Sequence, residues 1–205
     1  MTMTTLTVPN IPSSAGTNRS RIPSRIQPGG QRAESAPTAT PSATQAQVLK
    51  MLQDLETWTA NVHRVAAETY LTQSLYAEAI VHLEAACRFD AGNAEYHNEL
   101  GTLRYMTGDD EGALVCFDAA RELDRNNAAT NFNRGMVLFG QGRLREAEES
   151  FALASLADDR NAENWNNLGV TRFQLGKKEE ARACFLKALQ CDPQNADARD
   201  NLAQL

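Results

Sequence analysis

Three histidines and a few short motifs are the groups in this sequence that could support catalysis or metal binding. Two of the histidines, His63 and His97, belong to a series with constant spacing that continues at Asn131 and Trp165. A position that accepts imidazole, amide and indole is typical of packing, so we expect these histidines to pack rather than to exchange protons. No HExxH, GxSxG or Walker sequence is present, and the Gly-Gln-Gly sequence at 140–142 follows no strand and is expected to be a turn. We therefore expect no catalytic residues, no metal site, no cofactor and no enzyme activity.

The four cysteines are spread along the chain and none belongs to a CxxC pair; they are Cys87, Cys116, Cys184 and Cys191. Cys184 and Cys191 fall on one predicted helix, roughly 10 Å apart along its axis, which is too far for a disulfide. We expect reduced thiols that behave as small apolar side chains. Such cysteines indicate a reducing compartment, and we expect a cytoplasmic protein.

Charge is distributed unevenly. Residues 1–44 carry four arginines and one glutamate, a net charge of +3, so the remainder of this −6 chain carries −9. An acidic body argues against nucleic-acid binding, because phosphate recognition needs clustered Lys and Arg. No run of 18 apolar residues predicts a membrane-spanning helix, so we expect no membrane insertion. The composition of residues 1–44, rich in Ser, Thr and Pro, predicts a disordered tail in preference to a transit peptide.

Internal repetition dominates the rest of the chain. One constant shift aligns the sequence with itself without a gap, in units that start at Ala60, Ala94, Ala128 and Ala162. The eighth position is Ala or Gly, the twenty-fourth is Leu or Phe, and the twentieth and twenty-seventh are Ala in every unit. Small residues at these positions allow two helices to cross closely, and glycines at the fifteenth position allow a sharp turn. Asp at position 31 and Asn at position 34 are expected to bracket the turn into the next unit, because Asp can bond free amides and Asn tolerates the left-handed conformation.

The units resemble the tetratricopeptide repeat, whose length of about 34 residues they share. The resemblance is clearest in the last unit, which reads Trp165-x2-Leu168-Gly169, Ala181-x3-Phe185, Ala188 and Pro193. It implies an all-α solenoid of helix-turn-helix repeats. The expected organisation is a disordered tail at 1–44, a leading helix at 45–59, repeats at 60–93, 94–127, 128–161 and 162–195, and a C-terminal helix at 196–205. Val48, Leu52, Leu55, Val62 and Val65 recur at helical spacing, and whether 45–73 is one helix or two stays open.

The resemblance also implies a function, which is binding an extended peptide or partner segment in the concave groove. Asn133, Asn167 and Asn201 share the sixth position of successive units. An amide donates and accepts together, so such a ladder could hold a peptide backbone, as in the similar asparagine ladder of the O-linked N-acetylglucosamine transferase solenoid. Around it the expected groove residues are Phe132, Met136, Asn98, Asn166 and Val170, with Phe132 and Met136 off the core positions.

Two other outcomes are kept open. The array could be a self-associating scaffold, through its convex face or a C-terminal edge at Leu202 and Leu205, or a targeting subunit of an enzyme complex. Co-chaperone function is not expected. The family's carboxylate clamp needs Lys and Arg, whereas the best-matching positions here hold Asn98, Thr102, Asn133, Glu163 and Asn167.

Overall fold

The computed structural model describes residues 42–205, and these residues form nine α-helices joined by short turns. The predicted tail lies outside the described residues except at its end, where Ser42 caps the first helix. The helices are α1 (Ala43–Thr72), α2 (Tyr76–Phe89), α3 (Ala94–Met106), α4 (Asp110–Leu123), α5 (Ala128–Gly140), α6 (Leu144–Ala157), α7 (Ala162–Gln174), α8 (Lys178–Cys191) and α9 (Ala196–Ala203). Each helix packs against the next along the chain, and α3 and α7 also contact α5 and α9, respectively. The described part of the chain is therefore an α-solenoid, as predicted.

One long helix opens the array. The sequence leaves open whether 45–73 holds one helix or two, and α1 runs without a break from Ala43 to Thr72. Ser42 and Gln45 close a capping box at its start, in which each side chain bonds the other residue's backbone amide. Only its second half packs, through Ala60 and Ala67, and every residue from 42 to 58 is exposed. The helix therefore projects several turns beyond the packed body.

The Asn that ends each unit begins the next helix. Asn93, Asn127, Asn161 and Asn195 are N-cap residues, and their side-chain oxygens accept bonds from backbone amides in the first turn. Their backbones lie at negative φ, which corrects the expectation that Asn is needed there for the left-handed conformation. The repeated Asp closes the preceding helix, and at Asp124, Asp158 and Asp192 its carboxylate accepts the amide two residues on. These two residues therefore set the phase of the repeat.

The turn inside each unit requires a left-handed residue. Gly108, Gly142 and Gly176 have φ between 72° and 85°. Ser74 occupies the same position in the first unit with φ of 59°, the single non-glycine residue at positive φ among those described. The sequence identifies this turn as less sharply encoded, and the backbone adopts the same shape at some conformational cost.

Helix crossing depends on a glycine facing an aromatic ring. A Cβ added at Gly101, Gly135 or Gly169 would lie 2.7, 2.7 or 2.5 Å from a phenylalanine ring of the next helix. Those rings belong to the largest fully buried side chains, which are Phe117, Phe151 and Phe185, respectively. In the first unit Ala67 and Leu83 stand in their places and share one buried cluster. In this unit Ala replaces Gly and Leu replaces Phe, so the added methyl group is offset by a smaller side chain facing it.

Substitution of Gly169 by alanine tests this contact. We expect Gly169→Ala to lower the free energy of unfolding by about 1–3 kcal/mol, because overpacking a filled core forces its neighbours to move. Gly140→Ala is the control, since a Cβ there meets nothing within 4 Å. The control should be neutral or slightly stabilising, because Ala is the better helix former. Urea unfolding followed by circular dichroism measures both.

A second substitution identifies the cause of that loss. Phe185→Leu, added to Gly169→Ala, recreates the Ala67 and Leu83 combination of the first unit. It should cost less stability in the Gly169→Ala background than in the wild type, because the clash is gone. Losses that simply add would contradict the steric explanation.

Candidate functional site

A groove with a volume of about 470 Å³ lies between the first two units. Helices α1 and α3 supply most of its walls. Its lining is mostly apolar, with exposed Leu71, Tyr76 and Met106 beside the charged residues Arg64 and Glu99. Of the predicted site residues only Asn98 lines it. The repeat pattern in the sequence places Leu71 and Met106 on these helices. It does not predict the size of the groove, because that depends on the distance between the helices.

Two of the predicted ladder asparagines bond the neighbouring unit. The Asn133 amide nitrogen donates to Asn98 Oδ1 at 3.3 Å and to Thr102 Oγ1 at 3.2 Å. Asn201 Nδ2 likewise donates to Asn166 Oδ1 at 3.0 Å. Each pair joins the fifth position of one unit to the sixth position of the next. The structure therefore brings four of the predicted residues together in two amide pairs.

Asn167 behaves differently from the other two. Its amide nitrogen donates to the carbonyl of Glu163 in its own helix at 3.0 Å. The fifth position of the preceding unit is Phe132, which offers no side-chain acceptor. Asn167 is therefore held by its own helix, half-buried, and its neighbour Asn166 is buried.

Phe132 and Met136 are more deeply packed than predicted. Both are half-buried and contact the core cluster that contains Phe151. The Phe132 ring meets Phe151 edge-on, with centroids 5.7 Å apart. The expectation that they lie off the core positions is corrected, because at this crossing the neighbouring helix reaches the fifth position. Val170, which occupies the same position in the fourth unit as Met136 in the third, is also half-buried.

One face of Phe132 still opens on a smaller pocket. This cavity of about 270 Å³ lies where the third unit meets the fourth, and its lining includes Phe132, Asn133, Glu163 and Asn164. Asn164 is itself fixed, since its Nδ2 donates to the carbonyl of Ala154 at 3.2 Å. Phe132 and Asn133 thus line the same pocket. Asn133 is also hydrogen-bonded to Asn98, which lines the larger groove.

Glu99 gives the larger groove an unusual charge. It occupies the same column as the ladder asparagines, and its nearest cation, Arg64, lies 3.9 Å away while bonding Glu68 directly. Burial raises the pKa of Glu99, and Glu95 and Glu68 add to this effect, while Arg64 opposes it. A half-buried carboxylate whose one cation, at 3.9 Å, is shared with a second carboxylate is a site that favours an added positive charge.

The groups considered for other chemistry lie elsewhere. His63 Nδ1 is 2.9 Å from His82 Nδ1, and its ring stacks on Phe89, so this histidine packs between α1 and α2. All four cysteines are free, three are buried, and burial raises the pKa of the Cys87 thiol to about 12. Within residues 42–205 no group of three or more His, Cys, Asp or Glu could hold a metal ion. No helix in this range is both long and apolar enough to span a bilayer.

Comparison with known proteins agrees with this geometry. Residues 162–195 match the family model described as tetratricopeptide repeat. The structure of YrrB, described as a TPR protein with an unusual peptide-binding site, is 25% identical and covers 79% of this chain and 88% of its own, with a TM-score of 0.63. MamA from Desulfovibrio magneticus is 20% identical, with coverage of 71% and 82% and a TM-score of 0.66.

A third similar structure contains a bound peptide. It is the first TPR of Spaghetti (RPAP3) bound to the HSP90 peptide SRMEEVD, 25% identical, covering 56% of this chain and 91% of its own, with a TM-score of 0.53. No curated protein sequence matches this chain significantly. These matches and the repeated positions in the sequence agree on a solenoid of tetratricopeptide-type helix pairs.

Glu99 provides a test of the groove's electrostatics. When a carboxyl has a higher pKa in the folded protein than in the unfolded chain, its ionisation lowers the free energy of unfolding as the pH rises through that pKa. Glu99→Gln cannot ionise, so it should be more stable than the wild type at neutral pH, and the gain should vanish below about pH 4, where the carboxyl is protonated in both states. Urea unfolding from pH 3.5 to 7.5 measures the difference.

The control removes an exposed carboxylate, Glu122, through Glu122→Gln. It separates the effect of the buried site from the loss of one negative charge in an acidic protein. An equal gain in both variants would contradict the local explanation.

Proposed function

We propose that this chain, whose repeats match the tetratricopeptide repeat, is a protein–protein interaction module and that its groove binds an extended segment of a partner protein. The amides of Asn133, Asn167 and Asn201 contact the backbone of that segment. The observation that carries the proposal is that Asn98 lines the larger groove and Asn133 lines the smaller pocket, while a hydrogen bond joins these two amides. No catalytic step is part of it.

The amide pairs retain the hydrogen-bonding capacity that a peptide needs. In the pair of Asn98 and Asn133, Asn133 Nδ2 donates to both Asn98 Oδ1 and Thr102 Oγ1, which leaves Asn133 Oδ1 and the Asn98 amide hydrogens for a ligand. The pair of Asn166 and Asn201 is joined by one bond. An amide pair joined by one bond still has free donor hydrogens and a free carbonyl oxygen. These are the complements of the C=O and N–H groups of an extended chain. The pairing also holds the amides in place before the ligand arrives, which lowers the entropy lost on binding.

Apolar pockets supply the anchoring. The larger groove presents Leu71, Tyr76 and Met106, and an adaptable Met beside an aromatic ring suits a peptide side chain. Phe132 supports the smaller pocket with its exposed face, and Met136 braces it from the core. Val170 lies about one turn after Asn166 and Asn167 on α7 and is half-buried.

Charge narrows the class of partner. Residues 45–205 are strongly acidic, and Glu99 lies in the groove with Arg64 engaged by Glu68. A Lys or Arg of the partner, placed at Glu99, would neutralise a carboxylate that the fold leaves poorly compensated. We therefore propose a partner segment that is neutral or basic.

The same residues disfavour acidic peptides of the kind bound by Spaghetti. Three positions that would have to contribute to a carboxylate clamp, Asn98, Thr102 and Asn133, are bonded to one another. Glu163 occupies a fourth and would repel a carboxylate. An acidic tail therefore finds no cation at these four positions, and Arg64 in the groove is already bonded to Glu68.

Peptide selection tests the groove directly. Random peptides displayed on phage are selected on the full chain, and the affinity of the best synthetic peptide is measured by titration calorimetry. Changing Asn133, Asn167 and Asn201 to Ala should weaken binding at least about tenfold, because each lost hydrogen bond is worth about 0.5–1.5 kcal/mol. Asn126→Ala, at an exposed turn, is the matched control and should bind as the wild type does.

Asn167→Ala alone separates recognition from stability. Asn133 and Asn201 also join neighbouring units, whereas Asn167 bonds only its own helix. Weaker binding by Asn167→Ala with unchanged helicity would support a direct contact. Unchanged affinity in the triple variant would remove the ladder from the proposal.

The charge preference has its own measurement. Selected peptides should be enriched in Lys and Arg, and the peptide SRMEEVD should bind more weakly than they do. Glu99→Gln should reduce affinity for a basic peptide more than for its neutral analogue. Preference for the acidic peptide would contradict the proposed partner class.

A further inference from the structure

The projecting half of α1 carries an apolar stripe in water. Eight large apolar side chains between residues 48 and 65 of α1 are exposed, and six of them, each between 46% and 65% exposed, form one stripe: Val48, Met51, Leu55, Trp58, Val62 and Val65. Their spacing alternates between three and four residues, and the stripe is about 26 Å long. Lys50, Gln53, Asp54 and Glu56 lie on the other sides of the helix, together with the exposed Leu49 and Leu52.

The stripe lies opposite the face that packs in the repeat array. Ala60 and Ala67 are the buried residues of α1. At about 100° per residue they lie about 160° around the helix from the stripe. Arg64 and Glu68, which line the groove, lie more than about 100° from it. An occupant of the stripe therefore leaves both the packed face and the groove undisturbed.

The spacing identifies the kind of occupant. An apolar seam that repeats about every 3.5 residues stays in line only when two helices coil around each other. Helical projections of about 15 residues are marginal in water without such a partner. A flat groove would not require this spacing, so the occupant is a helix.

We propose that the occupant is α1 of a second copy, in an antiparallel pair. In the register that centres the seam, Leu55 faces Trp58 of the second copy, and Met51 faces its Val62. Val48 faces Val65 of the second copy at each end. The bulky Trp58 thus faces the smaller Leu55, whereas a parallel pair in register would place Trp58 against Trp58 of the second copy.

Flanking charges permit this pairing. Asp54 comes level with Asn61 of the second copy, and Glu68 with its Gln47, so no like charges oppose each other. The two seams together would bury on the order of 1,200 Å², which reaches the lower end of stable protein interfaces. The chain is therefore a homodimer joined through its leading helices, and this inference does not depend on the proposed function.

Measurement of mass against concentration tests the dimer. The full chain, of 22.5 kDa, is followed by sedimentation velocity from 1 to 200 µM. We expect a reversible change to twice that mass. Leu55→Glu should raise the dissociation constant at least 100-fold, because it places a charge in the seam. Its matched control is Gln53→Glu, the same added charge on the outer face of the same projection, which should leave the dimer unchanged.

Further variants separate the competing surfaces. Leu202→Glu tests the C-terminal edge and should not change the mass. A monomer at every concentration, or a larger assembly, would overturn the proposal. So would a dimer that Leu202→Glu dissociates and Leu55→Glu does not. Circular dichroism confirms that each variant keeps the helicity of the repeats.

Thiol crosslinking tests the direction of the pair. In a Cys191→Ser background, which removes the one cysteine that is not buried, Val48→Cys and Val65→Cys are treated with a short bis-maleimide. A mixture of the two variants should crosslink, because the ends of antiparallel helices meet. Crosslinking of Val48→Cys with itself would show a parallel pair and overturn the register.

Discussion

The array depends on the contact between a helical glycine and an aromatic ring of the next helix. The ring of Phe117, Phe151 or Phe185 occupies the space where a Cβ would lie on Gly101, Gly135 or Gly169. This contact fixes the distance between the two helices of a unit, and the distance fixes how far the next unit is displaced. In the first unit Ala67 faces Leu83, so the volume filled at the crossing, rather than either residue type, is what recurs.

Side-chain amides join neighbouring units through hydrogen bonds. Asn98 with Asn133, and Asn166 with Asn201, are bonded across neighbouring first helices on the surface that would receive a ligand. A residue that both joins two units and faces a groove cannot be optimised for one role alone. Glu99 shows the conflict, because it occupies the same repeat position, is half-buried and shares its one cation, Arg64, with Glu68. Such a compromise is common where a fold keeps groups for recognition.

How much the sequence reveals depends on whether a feature is local to one unit. The repeat period predicts the helix pairs, and the Asn, Gly and Ala columns predict caps, turns and crossings, because each acts within a few residues. The sequence does not predict the amide pairs, since they join the fifth position of one unit to the sixth of the next and depend on the rotation between units. Phe132 is misplaced for a different reason: it packs against Phe151 on the second helix of its own unit, and the pattern of its own helix does not state this contact. The length of α1 stays undecided because no Gly or Pro marks an end and no local signal states where packing begins.

The leading helix combines two surfaces that do not overlap. Arg64 and Glu68 face the groove, whereas Leu55 and Trp58 belong to the stripe on the far side. Pairing through the stripe would therefore place two open grooves on one particle. A partner with two binding segments would then meet the second groove at a high effective concentration, which raises its overall affinity without any new contact. Moderate affinity in each groove, as expected for amides already bonded to one another, is sufficient for a dimer of this kind.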